Sequence, residues 1–137
     1  MTDSWWVKNA RDLEWTSNEM GEYCLLAADE FAITLNVLAK GQPMALYHHE
    51  PHQEGFLVLR GECEVQLEGE THPLREWDYF HCPPGVAHVV GGAGDEPALV
   101  VAVGSRVGGG GATYPNDPDP RAAYAEFGEL VNVTSPL

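Results

Sequence analysis

The chain has 137 residues, enough for one domain with its own core and no need of disulfide staples. Seven basic residues against 21 acidic ones give a formal charge of −14, which repels nucleic acid and anionic membrane surfaces and suits a cation or a neutral or cationic small molecule. No apolar run is long enough to span a bilayer, and Met1-Thr2-Asp3-Ser4 has no basic-then-apolar leader, so the expected compartment is the cytoplasm.

Residues 1–21 read as an N-terminal arm carrying Trp5, Trp6 and Trp15. Trp5-Trp6-Val7 is expected as a short strand packing on the body or on a second subunit. From Tyr23 the pattern is that of strands. Phe31, Ile33, Leu35 and Val37 alternate with Ala32, Thr34, Asn36 and Leu38, the period-two signature of a half-buried strand. Gly41-Gln42-Pro43 breaks it. Residues 44–50 are expected as the next strand, ended by Pro51, which has no N–H to donate. Residues 56–59 are continuously apolar and read as a strand buried on both faces. Cys63, Val65 and Leu67 alternate with Glu62, Glu64, Gln66 and Glu68, so one face there meets water.

Glu68-Gly69-Glu70 marks a hairpin, and Pro83-Pro84-Gly85 suits a type II turn. Residues 77–82, 86–90 and 98–103 supply further strands. The flexible Gly108-Gly109-Gly110-Gly111 follows, and then Asp119 and Pro120 open a short helix closed by Gly128, with Tyr124 and Phe127 on its docking face. Many short strands and no strand–helix alternation predict a single all-β domain, a sandwich or barrel with a core over about residues 22–104 and a C-terminal extension over 105–137. Cys24, Cys63 and Cys82 are odd in number and lack Cys-x-x-Cys spacing, so they are expected as reduced, buried thiols.

The chemistry concentrates in Tyr47-His48-His49-Glu50-Pro51-His52-Gln53-Glu54. Imidazole and carboxylate together bind divalent transition metals. On a strand His48 and Glu50 share a face, and a hairpin would bring Glu54 to them. His88, just after the Pro83-Pro84-Gly85 turn, is the best fourth candidate. Two neutral imidazoles and two carboxylates would neutralise a divalent cation. His49-Glu50-Pro51-His52 is not the zinc-protease helix motif, because the second histidine would have to stand at Gln53 and Pro51 prevents the helix. His49, His52 and His72 are expected to face solvent. One of His81 and Cys82 should face the interior, and Phe56 should line the cavity.

These residues also resemble the two motifs of the cupin superfamily, in its single-domain form. His48-x-Glu50, Glu54 and Gly61 follow the first motif, with Glu50 in place of its second histidine. Pro83-Pro84-Gly85-Val86-Ala87-His88 follows the second, with Trp77 in place of its opening glycine and Gly92 in place of its closing asparagine. In another register His49 is the second histidine and Tyr47 takes the first ligand position. The resemblance spans about residues 31–104. It implies a double-stranded β-helix (jelly-roll) barrel, a divalent ion (Zn, Fe, Mn or Ni) held by His48, Glu50, Glu54 and His88, a small-molecule substrate or ligand, and a homodimer. It leaves two readings of function. One is a metal-dependent enzyme, either a dioxygenase or an isomerase or cyclase. The other is a non-catalytic binding barrel whose metal is structural or part of recognition.

Overall fold

Alternating side chains along ten short strands place the chain in two antiparallel sheets. The computed structural model describes residues 4–137. Its strands are β1 (Trp15–Asn18), β2 (Gly21–Ala28), β3 (Phe31–Leu38), β4 (Glu54–Arg60), β5 (Cys63–Leu67), β6 (Glu70–Leu74), β7 (Tyr79–Cys82), β8 (His88–Gly92), β9 (Ala98–Ser105) and β10 (Val131–Val133), with one helix, α1 (Pro120–Ala125). Seven strands in the order β10-β1-β2-β3-β9-β4-β7 form the larger sheet, and β6-β5-β8 form the smaller. The core lies between them: Leu38, Phe56, Val58, Ala98 and Val100 of the large sheet meet Cys63, Val65 and Val90 of the small one. The result is a double-stranded β-helix barrel with a short C-terminal helix, as expected from the sequence.

A second cluster covers the outer face of the large sheet. Trp15, fully buried, packs with Cys24 and Leu35, and Val37, Leu99, Val101 and Val133 close around them. Its indole N–H donates to the Ala10 carbonyl at 2.9 Å. The alternation in β3 is therefore used on both sides: Leu35 and Val37 point out to Trp15, while Thr34, Asn36 and Leu38 point into the barrel.

Local expectations hold at the turns. Gly85 has φ +78, and Val86 N–H donates back to the Pro83 carbonyl at 3.4 Å, which closes the turn before β8. Asp119 caps α1 by accepting from Ala122 N–H at 3.2 Å, with Pro120 in the first turn. The three cysteines are buried and unpaired.

Two expected strands are absent. Residues 5–7 have no strand, and Trp5 and Trp6 are exposed. Residues 44–50 form no continuous strand; their pairings are isolated bridges, His48 to His88 and His49 to Thr113, with Pro43 to Gly91 just before them. Gly92 explains one departure from the motif: a Cβ there would clash with the Ala39 and Leu38 carbonyl oxygens, so no asparagine fits. Trp77 is the opposite case. It keeps a left-handed backbone, φ 73, that suits the glycine it replaces, and its N–H donates to the Val58 carbonyl at 2.7 Å. Among the described residues no helix is long and apolar enough to cross a membrane.

Candidate metal centre

The centre is built on a backbone pairing between residues forty apart. His48 N–H donates to the His88 carbonyl at 3.2 Å, and His88 N–H donates to the His48 carbonyl at 2.9 Å. Residues opposite one another in an antiparallel pair project to the same face, so the two imidazoles meet with ring centroids 5.0 Å apart. The loop carrying His48 is held from both sides. Gly85 N–H donates to the Glu50 carbonyl at 2.8 Å, and His49 exchanges both backbone bonds with Thr113. Glu54 arrives separately, as the first residue of β4, on the inward face that continues as Phe56 and Val58.

Three ligand atoms converge. The donor atoms of His48, Glu54 and His88 lie within 4.8 Å of one another. Glu54 Oε1 is 3.0 Å from His88 Nε2 and 3.8 Å from His48 Nε2. The other nitrogen of each ring faces a backbone carbonyl, His48 Nδ1 at 2.7 Å from Leu46 O and His88 Nδ1 at 3.0 Å from Val86 O. A ring nitrogen facing a carbonyl carries the proton, so in each neutral ring Nε2 keeps the lone pair, and the His48 Nε2–Glu50 hydrogen bond forms when that ring is protonated at Nε2 as well. Glu54 Oε1 and His88 Nε2, 3.0 Å apart, are both buried without a hydrogen-bond partner. Burying such groups unpaired costs free energy, and a cation between them removes that cost. The donor set, two imidazoles and a carboxylate with a second carboxylate beside them, fits a divalent transition metal.

Glu50 stands apart from this trio. Its Oε2 is 3.2 Å from His48 Nε2, and it is more exposed than Glu54. The hydrogen bond with His48 holds its carboxyl down at about 2. Burial pushes the Glu54 carboxyl up, and Glu50 adds to this while His88 opposes it. Burial alone would lower the His48 pKa, but the Glu50 hydrogen bond, the Leu46 carbonyl and the Glu54 charge outweigh it and raise it. The two carboxylates are thus set apart: His48 holds Glu50 ionised, while burial pushes Glu54 toward its protonated form.

His88 is the best enclosed member, only 2 % exposed. Phe56 and Phe80 stack with centroids 5.6 Å apart, and both rings tilt against its imidazole at 5.6 and 6.1 Å. Cys82 Sγ lies 3.2 Å from His88 Nδ1, and burial pushes the thiol up to about 11, so it stays protonated. Cys82 is the inward member of its pair, and His81 is exposed on the outer face. His49 and His52 are outside the trio, and the His52 ring instead meets the Gly109 carbonyl. His72 is exposed beside Glu70.

Sequence reasoning passed over Tyr114 and Tyr124 at this centre. The Tyr114 ring packs 5.8 Å from that of His48, and the Tyr124 hydroxyl donates to the Tyr114 hydroxyl at 3.4 Å while accepting from Leu46 N–H at 3.4 Å. Two tyrosines just past a glycine-rich link were the available signal, but no spacing rule ties them to His48. The trio opens on a cavity of about 280 Å³ whose walls include Thr34, Asn36, Met44 and Phe56.

A family model described as Cupin domain matches residues 34–104, half of the chain. Among characterised sequences, quercetin 2,3-dioxygenase of Bacillus subtilis (strain 168) is 40% identical over 60 residues, which are 44% of this chain and 18% of that protein. The polyketide synthase CurC of Streptomyces cyaneus is 33% identical over 67 residues, 49% of this chain and 44% of that protein. The chain thus spans less than half the length of these relatives. Among solved structures, a cupin-like protein of Thermotoga maritima superposes with a TM-score of 0.63 at 22% identity, covering 84% of this chain and 89% of that one. A putative sugar phosphate isomerase of Acidithiobacillus ferrooxidans gives 0.63 at 19% identity, covering 84% and 78%, a likeness of fold. With the family model over half of its length, the chain belongs to the cupin family.

Proposed function

We propose that this cupin is a metal-dependent enzyme acting on a small organic molecule, with oxidation by O₂ of the dioxygenase type as its reaction. One observation carries the reading: two buried, unpaired atoms, Glu54 Oε1 and His88 Nε2, converge with His48 Nε2 at the end of a cavity. In this reading His48, Glu54 and His88 hold a divalent ion, Zn, Fe, Mn or Ni, and Glu50 completes the charge balance as the fourth member. When bound, such an ion supplies Lewis acidity and, if redox-active, electron transfer with O₂. The chain's own residues prepare the place for it. The Leu46 and Val86 carbonyls fix the two imidazoles with Nε2 inward, and Phe56 and Phe80 keep water from His88.

The 60-residue likeness to a quercetin dioxygenase supports the O₂ reading. A redox-silent ion would support isomerase or cyclase chemistry instead, and the likeness to a polyketide synthase protein favours that second reading. Elemental analysis of the purified chain, followed by O₂ uptake against diketones, catechols and flavonols, tests both. One ion per chain with O₂ consumption on at least one class is the expected result. Metal without turnover across the panel would leave a binding barrel, and no metal after reconstitution would remove the ligand assignment.

We place this enzyme in the cytoplasm as a homodimer. Three buried, unpaired thiols suit a reducing compartment. Phe31, Tyr79 and Val103 are exposed on the outer sheet face, where a second copy would cover them. Light scattering reads the mass, and a monomer at every concentration would remove the dimer.

A further inference from the structure

We infer that the site takes an elongated, largely apolar and uncharged molecule, its oxygen-bearing end at the His48/Glu54/His88 trio and its body in a groove between β2, β3 and α1. Only the placement of the polar end rests on the metal reading above.

Two spaces meet inside the molecule. The inner cavity around the trio has about 280 Å³, and a second space of about 410 Å³ lies between the β2–β3 strands and α1. They share Tyr23, Asn36 and Met44 as walls, so the inner cavity and the groove adjoin at these three side chains. Pockets that enclose drug-sized ligands run from ~300 to ~1,000 Å³, a range the inner space reaches only together with the groove. At the junction Asn36 is a buried polar side chain, 6 % exposed, whose amide donates to Thr34 Oγ1 at 3.0 Å and to the Val100 carbonyl at 3.5 Å.

The groove lining states the chemistry of its occupant. Met20, Leu38, Met44, Tyr124 and Leu130 dominate it, and Leu130 stays exposed at the rim. Methionines adapt to irregular apolar shapes. Glu22 is the charged side chain of the lining, and no Lys or Arg lines either space. In a chain of net charge −14, a phosphorylated or carboxylated body finds no counter-charge there. An uncharged, mostly apolar body does fit.

The groove is also tied to the trio rather than lying beside it by chance. Tyr124, one of its walls, receives Leu46 N–H and donates to Tyr114, which packs on His48. The far end of α1 is pinned as well: Glu19 N–H donates to the Phe127 carbonyl at 3.1 Å, and Asn18 Nδ2 to the Gly128 carbonyl at 3.3 Å.

The test fills the groove without touching the trio. Ala125→Trp and Leu130→Trp each place an indole in it from an exposed position. Three probes are titrated by fluorescence or calorimetry: N-phenyl-1-naphthylamine on metal-free protein, then acetylacetone and dibenzoylmethane on Zn-loaded protein. Both variants should bind the naphthylamine and dibenzoylmethane about tenfold more weakly, with acetylacetone affinity and zinc content unchanged. Dibenzoylmethane and naphthylamine binding that neither variant alters would overturn the inference. So would equal losses for the short and the long diketone. Failure of zinc uptake with naphthylamine binding still blocked by both variants would overturn the metal reading while supporting the groove as the body's seat.

Discussion

On its outer face β3 presents Leu35 and Val37 to Trp15, Cys24 and Val133; on its inner face it presents Thr34 and Asn36 to the cavity that holds His48, Glu54 and His88. The two faces differ in completeness. On the outer face apolar groups meet apolar groups, and the one polar tip, the Trp15 N–H, reaches Ala10 O. On the inner face two buried polar atoms have no partner. A face whose groups are all satisfied contributes stability through burial. A face with unpaired ligand atoms gives up stability until something binds, as functional sites commonly do.

The contrast can be broken from either side. Trp15→Ala should cost the most, about 3–5 kcal/mol by large-to-small core substitution, while leaving metal affinity of the folded fraction unchanged. Urea unfolding and a metal titration on the same variant read the two halves, and a parallel fall in affinity would mean that the faces are coupled. Next, adding the cognate divalent ion at a hundredfold excess over its Kd should stabilise the chain by about 2.7 kcal/mol. His88→Ala should abolish that gain and empty the site while the barrel keeps its circular dichroism; unchanged metal content would show His88 to be misassigned.

The two carboxylates sharpen the comparison within the site. Glu54→Gln should weaken metal binding about 100-fold and Glu50→Gln about tenfold, because Glu54 belongs to the converging trio and Glu50 sits one contact outward. Equal losses would make Glu50 a full ligand. The smallest effect is expected far from both faces. Trp77 is 70 % exposed and holds a left-handed backbone, so Trp77→Gly should stabilise the chain by about 1 kcal/mol with no change in metal binding. A loss of stability would show that the indole packs in a way its exposure does not suggest.

Much of this was legible in the residues. Period-two alternation marks β3 and β5, the Pro83-Pro84-Gly85 turn marks the entry to β8, and Asp119 with Pro120 marks α1. Two of the local readings failed. Residues 44–50 read as a strand, yet they pair with the free edge of β8 only at the isolated His48–His88 bridge and with the Thr113 segment only at His49. Residues 5–7 form no strand either, and Trp5 and Trp6 stay exposed.

What the sequence determined by itself is which side chains share a side of a strand and where the chain must turn, since dihedral preferences and side-chain periodicity act over a few residues. That is enough to name His48, Glu54 and His88 as candidates. What only the tertiary structure decided is which of those sides meet. The His48–His88 bridge joins residues forty apart, the Tyr124–Leu46 bond joins residues seventy-eight apart, and the groove exists only because α1 returns across β2 and β3. Such encounters depend on the register of non-neighbouring strands and on the packing of the whole core, which no local spacing encodes.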